Sequence, residues 1–257
     1  MPYRRLPNTI ASIIRVLKTA RDEWKNTPVA AQRALSTDQW NQLNDAVPTS
    51  FLNRFLKEAS DVDLALAAQA PLTSQYSQAA DRLALFVSHF HRVLDLGITR
   101  GTFQTGARSY YGREINATSI PDLATYQAIA EAAEKIEQGE AARALAEGDE
   151  NNYVAMQLPS AAEVAALRTA FLALQNQSEQ ALVNTDTQRE ELQALAAEAQ
   201  ALAVDIYDTV EFFYRKDPDD SSRRVKCERW GVVYVFEAAP AAPTPPAPAP
   251  TPTPPGP

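Results

Sequence analysis

The sequence predicts an all-α protein of antiparallel helical bundles, arranged as two pseudo-repeated halves and finished by a small C-terminal β element. Three observations carry that expectation. Alanine, leucine, glutamine and glutamate dominate the body of the chain, and all four are good helix formers. Only eight of 257 residues are glycine, which argues against an all-β or glycine-loop-rich enzyme fold. Apolar residues recur every three or four positions along most of the chain, which is the spacing of one helix face.

The elements follow in order. Asn8 or Thr9 caps a first helix, on which Ile10, Ile13, Ile14, Leu17 and Trp24 share a face, and Thr27-Pro28 ends it. A shorter helix starts near Thr37 and carries Trp40, Leu43 and Val47. After Pro48 a helical run holds Phe51, Leu52, Phe55, Leu56, Val62 and Leu66, and Pro71 is expected to stop it. A strong helix then runs from Thr73 to Leu96. Between Gly97 and Ile120 the pattern breaks, and "ARSYYGREI" reads as a β-like string. Pro121 suits the first position of another helix, which continues to Gln138 and fades at "EGDE".

Ser160 caps a helix with Val164, Leu167, Phe171 and Leu174 on one face. Asp186 opens the longest helix, where Leu192, Leu195, Ala199, Leu202, Ile206, Val210 and Phe213 form a nearly heptad stripe up to Tyr214. "CERWGVVYVFE", residues 227–237, reads as a strand, and both of its faces are apolar. The tail at 238–257 has ten prolines in twenty residues and no charge, a composition that favours extended polyproline II.

An internal repeat organises these elements. Tyr111-Gly112 lies 24 residues after Val87, and Trp230-Gly231 lies 24 after Ile206. In that register Leu83 matches Leu202, His91 matches Val210 and Leu94 matches Phe213. The reading divides the chain into an N-terminal half at 1–115, an acidic connector at 116–157, a C-terminal half at 158–237 and the tail. The strand-like ends of the two halves are expected to pair.

Charge is uneven. Residues 1–26 hold six Lys or Arg against two acids, and residues 122–150 hold eight acids against two bases, within an overall net charge of −8. A lone Cys227 excludes an internal disulfide and fits a cytoplasmic protein. Arg15 and Lys18 interrupt the first apolar run, so no secretory signal or membrane span is expected.

Chemistry is hard to find. His89 and His91 are two residues apart and point away from each other on a helix, so they cannot share a metal. His91 and Asp95 have a four-residue spacing, but no further ligand is close in sequence, and His91 reads as a structural histidine. "GTFQTGAR" has two glycines five apart, yet Ala107 and Arg108 stand where a phosphate loop needs Lys and Ser or Thr. Arg100, Arg108 and Arg113 offer an anion site against the default of a polar turn. Basic neighbours would favour the Cys227 thiolate, but a cysteine flanking the core explains the residue as well. No cofactor and no metal are expected.

The stretches "MPYRRLPNT", "FVSHFHRVL" and "VKCERWGVVYVF" resemble an uncharacterised family of helical bacterial proteins found mainly in the Bacteroidetes. Its end motifs match Tyr3 to Pro7 and Cys227 to Tyr234. The resemblance implies a helical fold and no catalytic residues. The reading as a whole is a non-enzymatic structural or protein-interaction module that self-associates or binds a protein partner. Its surface is Arg4, Arg5, Arg224, Arg229, Trp230, Val232 and Tyr234. Nucleic-acid binding through the same arginines is the alternative, and a small-ligand pocket between helices is third.

Overall fold

The structure, a computed structural model, describes residues 3–148 and 153–235. It is all-α with one two-stranded antiparallel sheet, as the sequence predicts. The order is β1 (Tyr3–Arg4), α1 (Ile10–Asn26), α2 (Thr37–Leu43), α3 (Phe51–Thr99), α4 (Ala107–Tyr110), α5 (Tyr126–Glu147), α6 (Ala161–Tyr214), α7 (Asp220–Arg229) and β2 (Tyr234–Val235). The chain forms two compact units. Unit 1 comprises residues 1–57 and 194–257, and unit 2 comprises residues 58–193. Both boundaries fall inside helices, α3 and α6.

In unit 1, Thr9 and Ser12 form a capping box that starts α1, and Ser36 and Gln39 form one for α2. Trp24 of α1 stacks on Trp40 of α2 at 5.2 Å between ring centroids. Ile13, Val16, Leu17, Leu43, Leu52 and Phe55 pack in the core with Leu202, Ile206, Tyr207 and Val210 of α6 and Trp230. Buried Gln39 donates to Asp205 at 2.6 Å and Thr209 at 2.9 Å, fixing α2 on α6.

Unit 2 is built on Leu83, Val87, Phe90 and Leu94 of α3, Ile129, Ala133 and Ile136 of α5, and Val164 and Phe171 of α6. Tyr111 is 1% exposed and packs edge-on against Phe90. Gly139 of α5 lets the Tyr110 backbone approach closely, because a Cβ there would lie 2.4 Å from the Tyr110 carbonyl oxygen.

Several element expectations are corrected. Pro71 lies inside α3 and does not end it. The helices expected at Ser160 and at Asp186 are one helix, α6. Inside it Thr185 returns its hydroxyl to the Ala181 carbonyl at 2.9 Å, so that polar side chain does not compete with the helix. Thr125 caps α5, not Pro121. "ARSYYGREI" is helical at α4, and β2 pairs with β1 instead. Cys227 to Arg229 belong to α7, which Asp219 caps through Ser221 and Ser222, so the strand shrinks to Tyr234–Val235. The tail at 238–257 and Phe236 lie outside the described residues.

One device explains the last two corrections. Gly112 and Gly231 have φ of 72° and 95°, values that favour glycine. In each case the glycine N–H and the following N–H close back on the helix carbonyls: Gly112 to Ser109, Arg113 to Arg108, Gly231 to Glu228 and Val232 to Cys227. This is the Schellman pattern of helix termination. Gly101, with φ of 76°, ends α3 in the same way.

Two expectations for unit 2 can be measured. Gly139→Ala removes a helix-weakening glycine, worth about 1 kcal/mol on an exposed helix, but here it forces a clash with backbone. Overpacking outweighs propensity, so urea denaturation is expected to show a net loss of about 1–3 kcal/mol. His91 is 0% exposed, and neither ring nitrogen has a hydrogen-bond partner among the described residues. Burial, and then the Arg113 charge, lower its pKa to about 4, against the opposing pull of Asp95. Below pH 6.5 the unfolded chain binds a proton that the folded chain refuses. Stability therefore falls as pH drops from about 6.5 to about 4, by on the order of 3 kcal/mol. Urea midpoints recorded at pH 7, 5 and 4 should trace that loss, and His91→Leu should flatten it.

Candidate functional site

The two ends of the described chain meet over α6 in unit 1. Tyr3 lies opposite Val235 and Arg4 opposite Tyr234, and the Arg5 amide donates to the Val233 carbonyl at 2.8 Å. Beneath them Tyr207 is fully buried, and its hydroxyl donates to the Gly231 carbonyl at 2.9 Å. Burial pushes that phenol up from its ordinary pKa. The Arg4 guanidinium pairs with Asp208 and Glu211, and the Tyr234 hydroxyl donates to the same Glu211 at 2.7 Å. Gly231 sits where a Cβ would come 3.2 Å from the Val16 carbonyl oxygen, so the α7 terminus rests directly on α1.

The residues expected to bind a partner divide into three groups. Trp230 is 0% exposed and Val232 2%, so both are core and not surface. The Gly231 turn directs Trp230 inward, where its indole N–H donates to the Tyr214 hydroxyl at 3.2 Å. Arg4 and Tyr234 are held internally on Asp208 and Glu211. Arg5 and Arg229 are exposed and Arg224 is half-buried; none has an ion-pair partner among the described residues. What faces outward is therefore positive charge and not an aromatic ribbon. Arg229 also lines a recess of about 410 Å³ with Glu23, Thr27, Phe213, Tyr214 and Lys226.

Unit 2 holds two buried polar clusters that sequence reading found only in part. Asp95 takes both Arg113 guanidinium nitrogens at 3.0 Å and Arg108 Nε at 2.7 Å, so two of the arginines considered for an anion site are already occupied. Burial alone would raise the Asp95 carboxyl, but these two arginines hold it below the usual carboxylate range.

The second cluster centres on Arg143, which is 0% exposed. It donates to Tyr111 at 2.8 Å, Glu147 at 3.0 Å, Glu140 at 3.1 Å and the Val154 carbonyl at 2.7 Å. Glu140 also accepts from Tyr111, from Tyr153 at 2.7 Å and from the Met156 amide at 2.9 Å. Those donors outweigh burial and keep Glu140 below its ordinary value. Burial and the Glu140 carboxylate raise Tyr153 to about 12. The groups of this cluster use one another, which makes it a clasp tying residues 153–156 to α5. Only its ionisable members were visible in sequence, because the partners lie 3 to 32 positions apart.

Two further residues of unit 1 escaped sequence reading. Tyr207 lies beside Ile206 of a stripe that reads as ordinary core, and Glu211 lies next to Phe212 and Phe213 with no motif around it. Among the described residues no group of His, Cys, Asp and Glu has a geometry suited to a metal, and no helix is long and apolar enough to cross a membrane. In comparisons with known proteins the chain matches no family model, no curated protein and no solved structure.

Cys227 is buried in α7, and burial pushes its thiol up despite the contact with Tyr234. A thiolate is needed for reaction, so a disulfide reagent at pH 7 should leave it unlabelled in the folded protein. Labelling should appear across the urea transition. Rapid labelling without denaturant would show that α7 opens locally.

Proposed function

We propose that this protein is a non-enzymatic interaction module of the cytoplasm that associates with a protein partner, in the first instance a second copy of itself, through the cationic face of unit 1. The observation that carries the reading is charge segregation. Unit 1 holds 15 Lys and Arg against 13 Asp and Glu, a net of +2, while unit 2 holds 9 against 19, a net of −10. Arg5, Arg224 and Arg229 make no ion pair among the described residues, so their attraction is available to a neighbour. A contact from unit 1 of one copy to unit 2 of the next uses two different surfaces. It therefore closes into a ring or extends as a chain. The net charge of −8 weighs against nucleic acid as the partner, since it repels a polyanion at long range.

Exposed charges are screened within about 10 Å at 0.1 M salt and about 3 Å at 1 M. Sedimentation velocity at 50 mM salt should show a mass that grows with protein concentration and returns to the single chain at 1 M. The double variant Arg224→Glu, Arg229→Glu should stay monomeric at both. A wild-type chain that remains monomeric at every concentration and salt level would sink this reading. Salt-sensitive retention on DNA together with a monomeric mass would put nucleic acid in the partner's place.

A further inference from the structure

Successive residues of an extended strand project to opposite sides. Arg4 turns onto Asp208 and Glu211, and Arg5, the residue after β1, projects to the other side. There it lines a recess with Arg15 of α1, floored by Val16, Tyr207 and Val233. Asn8 adds an exposed amide at the rim. Both arginines are exposed, and neither has a hydrogen bond or ion pair from its side chain among the described residues. Among the described residues no carboxylate lines the recess, although unit 1 as a whole carries 13 acids. Two like charges lining one concavity repel each other unless an anion joins them.

The size of the recess narrows the anion. It encloses about 160 Å³, well below the roughly 300–1,000 Å³ of sites that engulf a drug-sized ligand. It has room for a single tetrahedral group and a few waters, each of which occupies about 30 Å³. Charge narrows the choice further. A carboxylate would balance one guanidinium, whereas a phosphate monoester carries nearly two charges at neutral pH and has three oxygens to share between two arginine forks. The end of α1 is not what makes the site. The Thr9 and Ser12 side chains are already spent on their own capping box, with Ser12 N–H donating to Thr9 at 3.2 Å.

We propose that Arg5 and Arg15 form a binding site for a phosphoryl dianion, either free as inorganic phosphate or carried on a small phosphate monoester. The floor of the recess is rigid, because Tyr207 is locked to the Gly231 carbonyl and Arg5 is held through its own amide on Val233. The two guanidiniums thus stem from backbone held at Val233, just after β1, and from α1. This inference shares Arg5 with the assembly reading, but that reading is tested through Arg224 and Arg229, so the two can fail separately.

The test is calorimetric titration of the full chain with inorganic phosphate and, separately, phenyl phosphate, at ionic strength held constant with chloride. Saturable 1:1 binding is expected in the wild type. Arg5→Gln and Arg15→Gln should each weaken it at least tenfold, the loss typical of one charge-assisted hydrogen bond. Both side chains are exposed, so circular dichroism of the variants should match the wild type, and Arg224→Gln should bind normally. Equal affinity for the two probes identifies a free ion as the natural ligand, and tighter binding of phenyl phosphate identifies an ester; either supports the site. Absence of saturable binding up to 10 mM in the wild type overturns the proposal. So does binding that survives in the Arg5→Gln, Arg15→Gln double variant.

Discussion

Unit 1 depends on the burial of Trp230 and Tyr207 at the point where the two chain ends meet. A two-residue sheet is far too short to hold itself together, since even an isolated hairpin is marginal in water. Each of its backbone hydrogen bonds contributes about 1 kcal/mol net. Removing an indole from water is worth about 4–6 kcal/mol at ~25 cal/mol per Å², as an upper bound. The aromatic side chain therefore positions the strand, and not the reverse. Tyr207 adds direction to this, because its single hydroxyl must find an acceptor and the Gly231 carbonyl is the one within reach.

Gly231 makes that arrangement possible. A left-handed residue at the end of α7 reverses the chain so that Trp230 turns into the core and Val232 follows it. The same local structure recurs at Tyr111-Gly112, where a buried aromatic again precedes a left-handed glycine after a short helix. Beyond Gly231 the Val233 carbonyl accepts from the Arg5 amide, and beyond Gly112 the Arg113 guanidinium reaches Asp95 of α3. The positions paired by the sequence register agree in burial at Leu83 and Leu202, Val87 and Ile206, and His91 and Val210. They differ at Leu94, which is buried, and Phe213, which is 40% exposed.

Unit 2 solves a different problem. Its core carries a fully buried guanidinium, a group whose desolvation is costly unless every donor is used. Arg143 meets that demand with carboxylates, a phenol and a carbonyl, while the Phe103 and Tyr153 rings lie 5.0 and 4.7 Å from it. Such a cluster adds little to stability over an apolar core, but it tolerates few alternative arrangements. Here it fixes where residues 153–156 lie against α5. His91 answers the same demand differently: buried with no hydrogen-bond partner among the described residues, it is kept neutral.

Helix content and most helix faces were legible in the sequence, because periodicity and caps are local: Thr9, the helix start near Thr37 and the Ile13–Leu17 face could be read directly. The apolar character of Trp230 and Val232 was equally plain, but not which way they point, since that depends on one glycine taking φ of 95°. Pro71 and Asp186 looked like breaks because local propensity is weak against the packing of a long helix. The pairing of Tyr3–Arg4 with Tyr234–Val235 joins residues more than 200 positions apart, and no local pattern encodes it. The cationic recess has the same origin. Composition determined that the ends of unit 1 would be rich in arginine, whereas only the tertiary structure decided that Arg4 would be neutralised on α6 while Arg5 and Arg15 would line one recess, because successive residues of an extended chain meet different neighbours.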